Sequence, residues 1–195
     1  MDLKQAFLLR YAPIREFHIP FFYKDLPEVK LRSRPVTGVN PIAWCLWHVA
    51  RTEDIGLNRM VTDGKQVFDE GGWMEKLKLP IRHYGIGMTE DEVLNVAATI
   101  DIHLLQEYAR QVGERTLEIV DKLDPCSLDA IVTDEYIIRV LKEEGAVKPE
   151  RIKGSLEAYQ GNPKGWFLMH MGMTHTYIHI GEMNTVASLM GFHRI

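Results

Sequence analysis

PIAWCLWHVARTEDIGLNRMVTDG, residues 41–64, runs to Asp63-Gly64 with no breaker except Gly56. Asn40 in front of it is a good N-cap, and Pro41 suits a first helical turn, where a missing N–H costs nothing. The spacing predicts a helix over about 41–62, with Gly64 past its end. Working outward, residues 2–10 read as a helix that resumes after Pro13. TEDE at 89–92 has capping-box spacing and opens a helix running to about 123. A fourth long helix is expected from about 164 to 190, stopped by Gly191. Between them, Pro20, Pro27, Pro35 and Pro41 mark 20–41 as an irregular connector. Residues 64–88 read as loop, with DEGGW at 69–73. Residues 124–164 read as an irregular excursion before the last helix, carrying one short helix over 134–144 and no firm strand. The expectation is an all-α fold, a four-helix bundle formed as a single domain over residues 1–195.

Composition narrows the function classes. Apolar residues make up 46% and charged residues 26%, an ordinary globular balance. A net charge of −4 without a Lys/Arg-rich run leaves no electrostatic footprint for nucleic acid or an anionic membrane. No apolar run approaches the ~18 residues of a membrane span, and MDLKQAFLLR lacks the apolar core of a signal peptide. Cys45 and Cys126 form no CxxC pair, so reduced thiols and a cytoplasmic location are expected.

The chemistry sits in the histidines. HTYIHIGEMNTV, residues 175–186, places His175 and His179 four residues apart. In a helix such residues differ by about 40° in direction and about 6 Å in rise, so both imidazoles share a face. That geometry grips a metal ion, and it also suits two hydrogen-bonded core or exposed residues. Glu182 shares the face; His170, five before His175, is expected to point away. A zincin needs Glu after the first histidine and Thr176 stands there, while the paired Glu-x-x-His of di-iron bundles is missing. A mononuclear site needs a third ligand. His48, in the apolar run AWCLWHV, is the first candidate and His103 the reserve, and a satisfied core histidine is the competing reading of each. Cys45, Trp44, Trp47 and Trp166 read as core or pocket wall. Glu53 and Asp54 read as solvated surface acids, and Arg51 as a surface ion pair.

NPIAWCLWHVARTED and HTYIHIGEMNTVASLMG, in that order, resemble the second-helix and last-helix motifs of the DinB/YfiT-like metalloenzymes. The resemblance covers roughly 40–63 and 166–191. It implies a bundle of up-down-down-up topology and one divalent metal, zinc, nickel or iron, held by His48, His175 and His179. Glu182 would then orient a ligating histidine from behind. It also implies a homodimer, and a transferase that uses a low-molecular-weight thiol as co-substrate against a small-molecule electrophile. A metal-dependent hydrolase and a non-catalytic metal- or ligand-binding stress protein are the alternatives.

Overall fold

A computed structural model of the chain describes residues 1–193 and is helical throughout, with a single isolated bridge between Ile131 and Pro163 among the described residues. The first long helix extends further than the prolines suggested. It runs as Leu3–Pro13, a π turn at Ile14–His18, and Ile19–Asp25. Pro13 ends the first segment and Pro20 lies in the first turn of the last, so neither breaks the helix. A proline removes one N–H donor, and the wider π turn between them accommodates the change in ladder. The connector is therefore shorter than 20–41 and contains a further short helix, Glu28–Arg32.

The second long helix comprises Ile42–Ile55 and a π turn at Gly56–Val61, close to the expected 41–62. Its N-cap is Pro41, without a side-chain cap; the Asn40 amide is used elsewhere. The expected third helix is two. Thr89 and Glu92 do form the capping box of Glu90–Thr99, but the backbone turns extended at Ile100. Asp101 then caps Ile102–Lys122 by accepting from the Leu104 N–H at 2.9 Å. An aspartate that can bond the backbone two or three residues ahead competes with a continuous helix. In the excursion, Asp134–Ile138 continues as a π turn at Arg139–Glu143, and a second helix, Ile152–Tyr159, was not foreseen because Gly154 reads as a breaker. Gly154 faces open space, where a glycine costs that helix little packing. The last long helix is Lys164–Met169, a π turn at His170–Thr174, and His175–Leu189.

The second long helix is the axis of the molecule. It packs against Ile102–Lys122, His175–Leu189, Glu90–Thr99 and Glu28–Arg32, and every residue from Ile42 to Asn58 is buried. Three surface expectations therefore fail. Arg51 is fully buried, stacked over the Phe68 ring and donating to Asp54 Oδ2 (3.2 Å), Gln66 Oε1 (3.0 Å), the Tyr108 hydroxyl (3.0 Å) and the Arg82 carbonyl (2.6 Å). Asp54 also accepts from Asn58, Tyr108 and the N–H groups of Val67 and Phe68, which fixes the short helix Val67–Glu70. Glu53 accepts from the Tyr11 hydroxyl and from Thr116 Oγ1 at 2.7 Å. A helix enclosed on every side leaves its charges no water, so each is solvated by protein.

Removing one member of such a network strands its partners. Asp54→Ala is expected to cost about 3 kcal/mol or more in urea denaturation, against about 1 kcal/mol for Thr89→Ala, which removes one exposed cap. Equal losses would mean that the buried network contributes no more than a surface cap.

Candidate metal centre

His48 is buried on the second long helix, with Trp44, one turn earlier, stacked on its ring at 4.6 Å. Its Nδ1 bonds the Tyr84 carbonyl. A carbonyl only accepts, so Nδ1 carries the hydrogen and the lone pair of Nε2 faces away, toward the last long helix. There Nε2 lies 3.1 Å from His175 Nε2. One turn on, His179 Nδ1 donates to Glu182 Oε2 at 2.7 Å, while Glu182 Oε1 accepts from the Asn40 amide at 2.8 Å. The three imidazoles offer nitrogens that all lie within 4.8 Å of one another.

Burial and the mutual repulsion of the rings hold His48 and His175 neutral. Desolvation first, then His179, lowers His48 to about 4. Desolvation, then His48, His179 and His170, lowers His175 to about 2. Burial alone would raise the Glu182 carboxyl, but the bonds from His179 and Asn40 outweigh it and hold it below its ordinary value. The result is two neutral rings, His48 and His175, beside His179, with a carbonyl behind His48 and a carboxylate behind His179, the usual surroundings of metal-binding histidines. His175 Nδ1 is buried without a partner among the described residues, so its ring is satisfied by no protein group on that side. Two nitrogens on a tetrahedral ion are ~3.4 Å apart, and the 3.1 Å between His48 and His175 needs little adjustment to reach that. The residues fit a divalent metal.

The loop YGIGM, 84–88, supplies a part of the site that sequence spacing did not show. Gly85, at φ +104°, brings the Tyr84 carbonyl to His48; a Cβ there would stand 2.9 Å from the Trp47 ring and 3.1 Å from that of Trp44. Two glycines flanking one residue directly after a loop tyrosine are the available signal for such a close approach. The Tyr84 N–H bonds the Ala146 carbonyl and its hydroxyl meets the Tyr159 hydroxyl at 2.9 Å, so the excursion holds the loop in place. Together they enclose a cavity of about 420 Å³ that opens onto His48 and His175.

His170 does not point away. The π turn closes on the fifth residue, with the His175 N–H bonded to the His170 carbonyl, and so returns His170 to the side of His175. The two rings are 6.2 Å apart; His170 stacks on Trp166 at 4.4 Å and lines the cavity. His103 is exposed on Ile102–Lys122 and takes no part. Trp73 of DEGGW is core, 5.4 Å from the Tyr108 ring. Cys45 approaches His179 and Glu182 closely enough to share a ligand set with them. Burial, then the Glu182 charge, pushes its thiol well up, which leaves a protonated, unreactive group.

Fold and cluster define an all-helical protein with a three-histidine centre between its second and last long helices. The chain belongs to the DinB superfamily, whose family model matches residues 22–183 and so includes all three histidines. A crystal structure of a conserved protein from Enterococcus faecalis is similar over 98% of this chain and 99% of that one, with a TM-score of 0.62 and 14% identity, a likeness of fold alone. No curated protein matches. Among the described residues no helix is long and apolar enough to cross a membrane.

The pH dependence has a definite sign. Below about 6.5 the unfolded chain protonates its histidines, while folded His48 stays neutral down to about 4. The unfolded state then binds more protons, so metal-free protein loses stability as pH falls through that window. His48→Gln should flatten the slope relative to wild type in urea denaturation at pH 7, 6 and 5. Parallel slopes would show that His48 is not held neutral by the fold.

Proposed function

We propose that His48, His175 and His179 hold one divalent metal ion, zinc, nickel or iron, and that the protein is a metal-dependent transferase acting with a low-molecular-weight thiol. The observation that carries this reading is the paired anchoring of the ligands. His48 and His179 each spend Nδ1–H on a fixed acceptor, which leaves both Nε2 lone pairs free beside His175. Three neutral ligands leave a divalent ion its charge and an open position, as in catalytic rather than structural sites. A bound ion there would favour the ionised form of a small thiol.

The chain's own residues do the rest. Glu182 holds the proton on His179 Nδ1, and Asn40 fixes Glu182 from the start of the second long helix. Trp44 stacks on one face of His48 and the Tyr84 carbonyl holds its Nδ1, which fix the orientation of the ring. The thiol sulfur would attack an electrophilic carbon, forming C–S as the bond to the leaving group breaks, and the thiol proton leaves with that group. A thiol, with an ordinary pKa of ~8.5, needs little further help to ionise. A hydrolase, the second reading, would have to draw its base from His170, because no carboxylate lines the cavity among the described residues and Glu53 and Asp54 are committed to the core. A stress protein that binds metal without chemistry would need the open position filled, and the cavity in front of His48 and His175 weighs against that. The same reading takes residues 1–195 as one up-down-down-up bundle domain and the protein as a homodimer, as the family resemblance implies, and places it in the cytoplasm, as its unpaired cysteines suggest.

The test is metal content of untagged protein, followed by loss of free thiol in the presence of a model electrophile. Wild type should hold about one equivalent of a divalent metal, with His48→Ala and His175→Ala losing it and His179→Ala at least sharply reduced. Glu182→Gln should weaken metal affinity about 10–100-fold while the protein stays folded. Metal-free wild type after exposure to zinc, nickel and iron would overturn the proposal, and metal-loaded protein that consumes ester but no thiol would favour the hydrolase.

A further inference from the structure

The excursion between Lys122 and Lys164 brings one cation to the mouth of the metal-centre cavity. Its helix Ile152–Tyr159 contributes Ala158 and Tyr159 to the cavity wall, and the turn before it, Pro149–Arg151, places Arg151 over Gly87. Gly87 lines the same cavity, at φ +81°; a Cβ on it would meet Arg151 Cγ at 2.6 Å and Cδ at 2.8 Å. The arginine stem thus lies on backbone that a side chain at Gly87 would displace, and its Nε stands 3.6 Å from the same point, beside a residue of the cavity wall. Neighbouring Lys148 is neutralised by Glu92 (3.0 Å) and Glu150 (3.3 Å). The Arg151 guanidinium has no ion pair or hydrogen bond among the described residues, and its side chain is exposed. Inside, the walls are apolar or uncharged, with Trp44, Ile86, Met88, Val93 and Tyr159 prominent.

From this placement we infer that Arg151 is a specificity-determining residue: the cavity takes a small molecule with an apolar body and a carboxylate or other anionic end, the body against the aromatic walls and the anion on Arg151. The chemistry follows from the pairing of a neutral, largely apolar interior with one unspent planar donor at its rim. Arg forks bind carboxylates through parallel N–H bonds, while an uncharged interior rejects a charge buried without a partner. The excursion is then the wall that selects the substrate, and it rests on the reading of this cavity as the substrate site.

The experiment uses cobalt(II)-loaded protein and two probes of one shape, 4-mercaptophenylacetate and 4-mercaptophenylacetamide, with binding followed by the sulfur-to-cobalt absorption. The matched pair phenylacetate and phenylacetamide is titrated against metal-free protein by quenching of tryptophan fluorescence. Wild type should prefer the anionic member of each pair by roughly 5–10-fold, as one charge-assisted contact gives. Arg151→Ala should bring the ratio to about 1 and Arg151→Glu should invert it, with cobalt content and amide affinity unchanged. Gly87→Ala, which keeps the charge but displaces the stem, should also lower the ratio. A wild-type ratio near 1, or a ratio that Arg151→Glu leaves in place, overturns the inference. Failure to bind cobalt, or absence of the sulfur band with both probes, would instead sink the metal–thiol reading, and the metal-free titration would still decide the role of Arg151.

Discussion

The structure turns on the enclosure of the second long helix. From Ile42 to Asn58 every residue is buried, although the segment includes His48, Arg51, Glu53, Asp54 and Asn58. A polar group without water must be solvated by protein, so five positions on one helix dictate where the surrounding elements lie. Asp54 and Arg51 draw in Tyr108, Gln66 and the first turn of Val67–Glu70. Glu53 draws in Tyr11 and Thr116, tying the first and third parts of the chain to the axis. His48 remains. Its Nδ1 takes the Tyr84 carbonyl, but its Nε2 meets another imidazole and no dedicated donor. Of the five, it alone has a nitrogen facing a cavity, and that separates the site from the scaffold.

The same constraint explains what could be read from the letters. The histidine spacing was legible because i,i+4 on a helix is a geometric statement, and the cluster of His48, His175 and His179 forms as the resemblance implied. The capping box at Thr89–Glu92 was legible because it is local chemistry. Burial was not legible. WHVARTED contains three charged residues in eight, a pattern that reads as a helix emerging into solvent, and only the elements packed on every side of it show otherwise. The prolines misled in the opposite sense: Pro13 and Pro20 flank a π turn that hides within the helix. Asn40 illustrates a third kind of miss. It looked like an N-cap, and its amide instead spans 142 positions of sequence to hold Glu182, a contact no local rule contains.

The π turns are the less visible half of the site. Long helices at Ile14–His18, Gly56–Val61 and His170–Thr174 each carry one, and the last two face each other. Gly56 and Gly172 lie in these turns, and each is crowded by the opposing helix: a Cβ on Gly56 would meet Met171 Cβ at 2.3 Å, and one on Gly172 would meet Leu57 at 2.9 Å. The two backbones are thus pressed together two turns beyond His48 and just before His175. Helices in such close contact cannot slide without driving side chain into backbone. That fixes the height of His48 relative to His175 and His179 more firmly than any contact among the imidazoles.

A π turn also resets the angular phase of everything after it, because it inserts one residue into the 3.6-residue period. Without the turn at His170–Thr174, His170 would lie well off the His175 face, as simple helical spacing has it. With it, His170, stacked on Trp166, becomes cavity wall beside His175. One inserted residue therefore performs two tasks, seating Gly172 against the second helix and turning a fourth imidazole toward the cavity. His48, His175 and His179 belong to regular helix, where spacing is reliable, and the cavity wall belongs to the irregular turn, the Tyr84 loop and the excursion. That division accounts for a sequence in which the geometry of the three histidines can be read from spacing and the cavity wall beside them cannot.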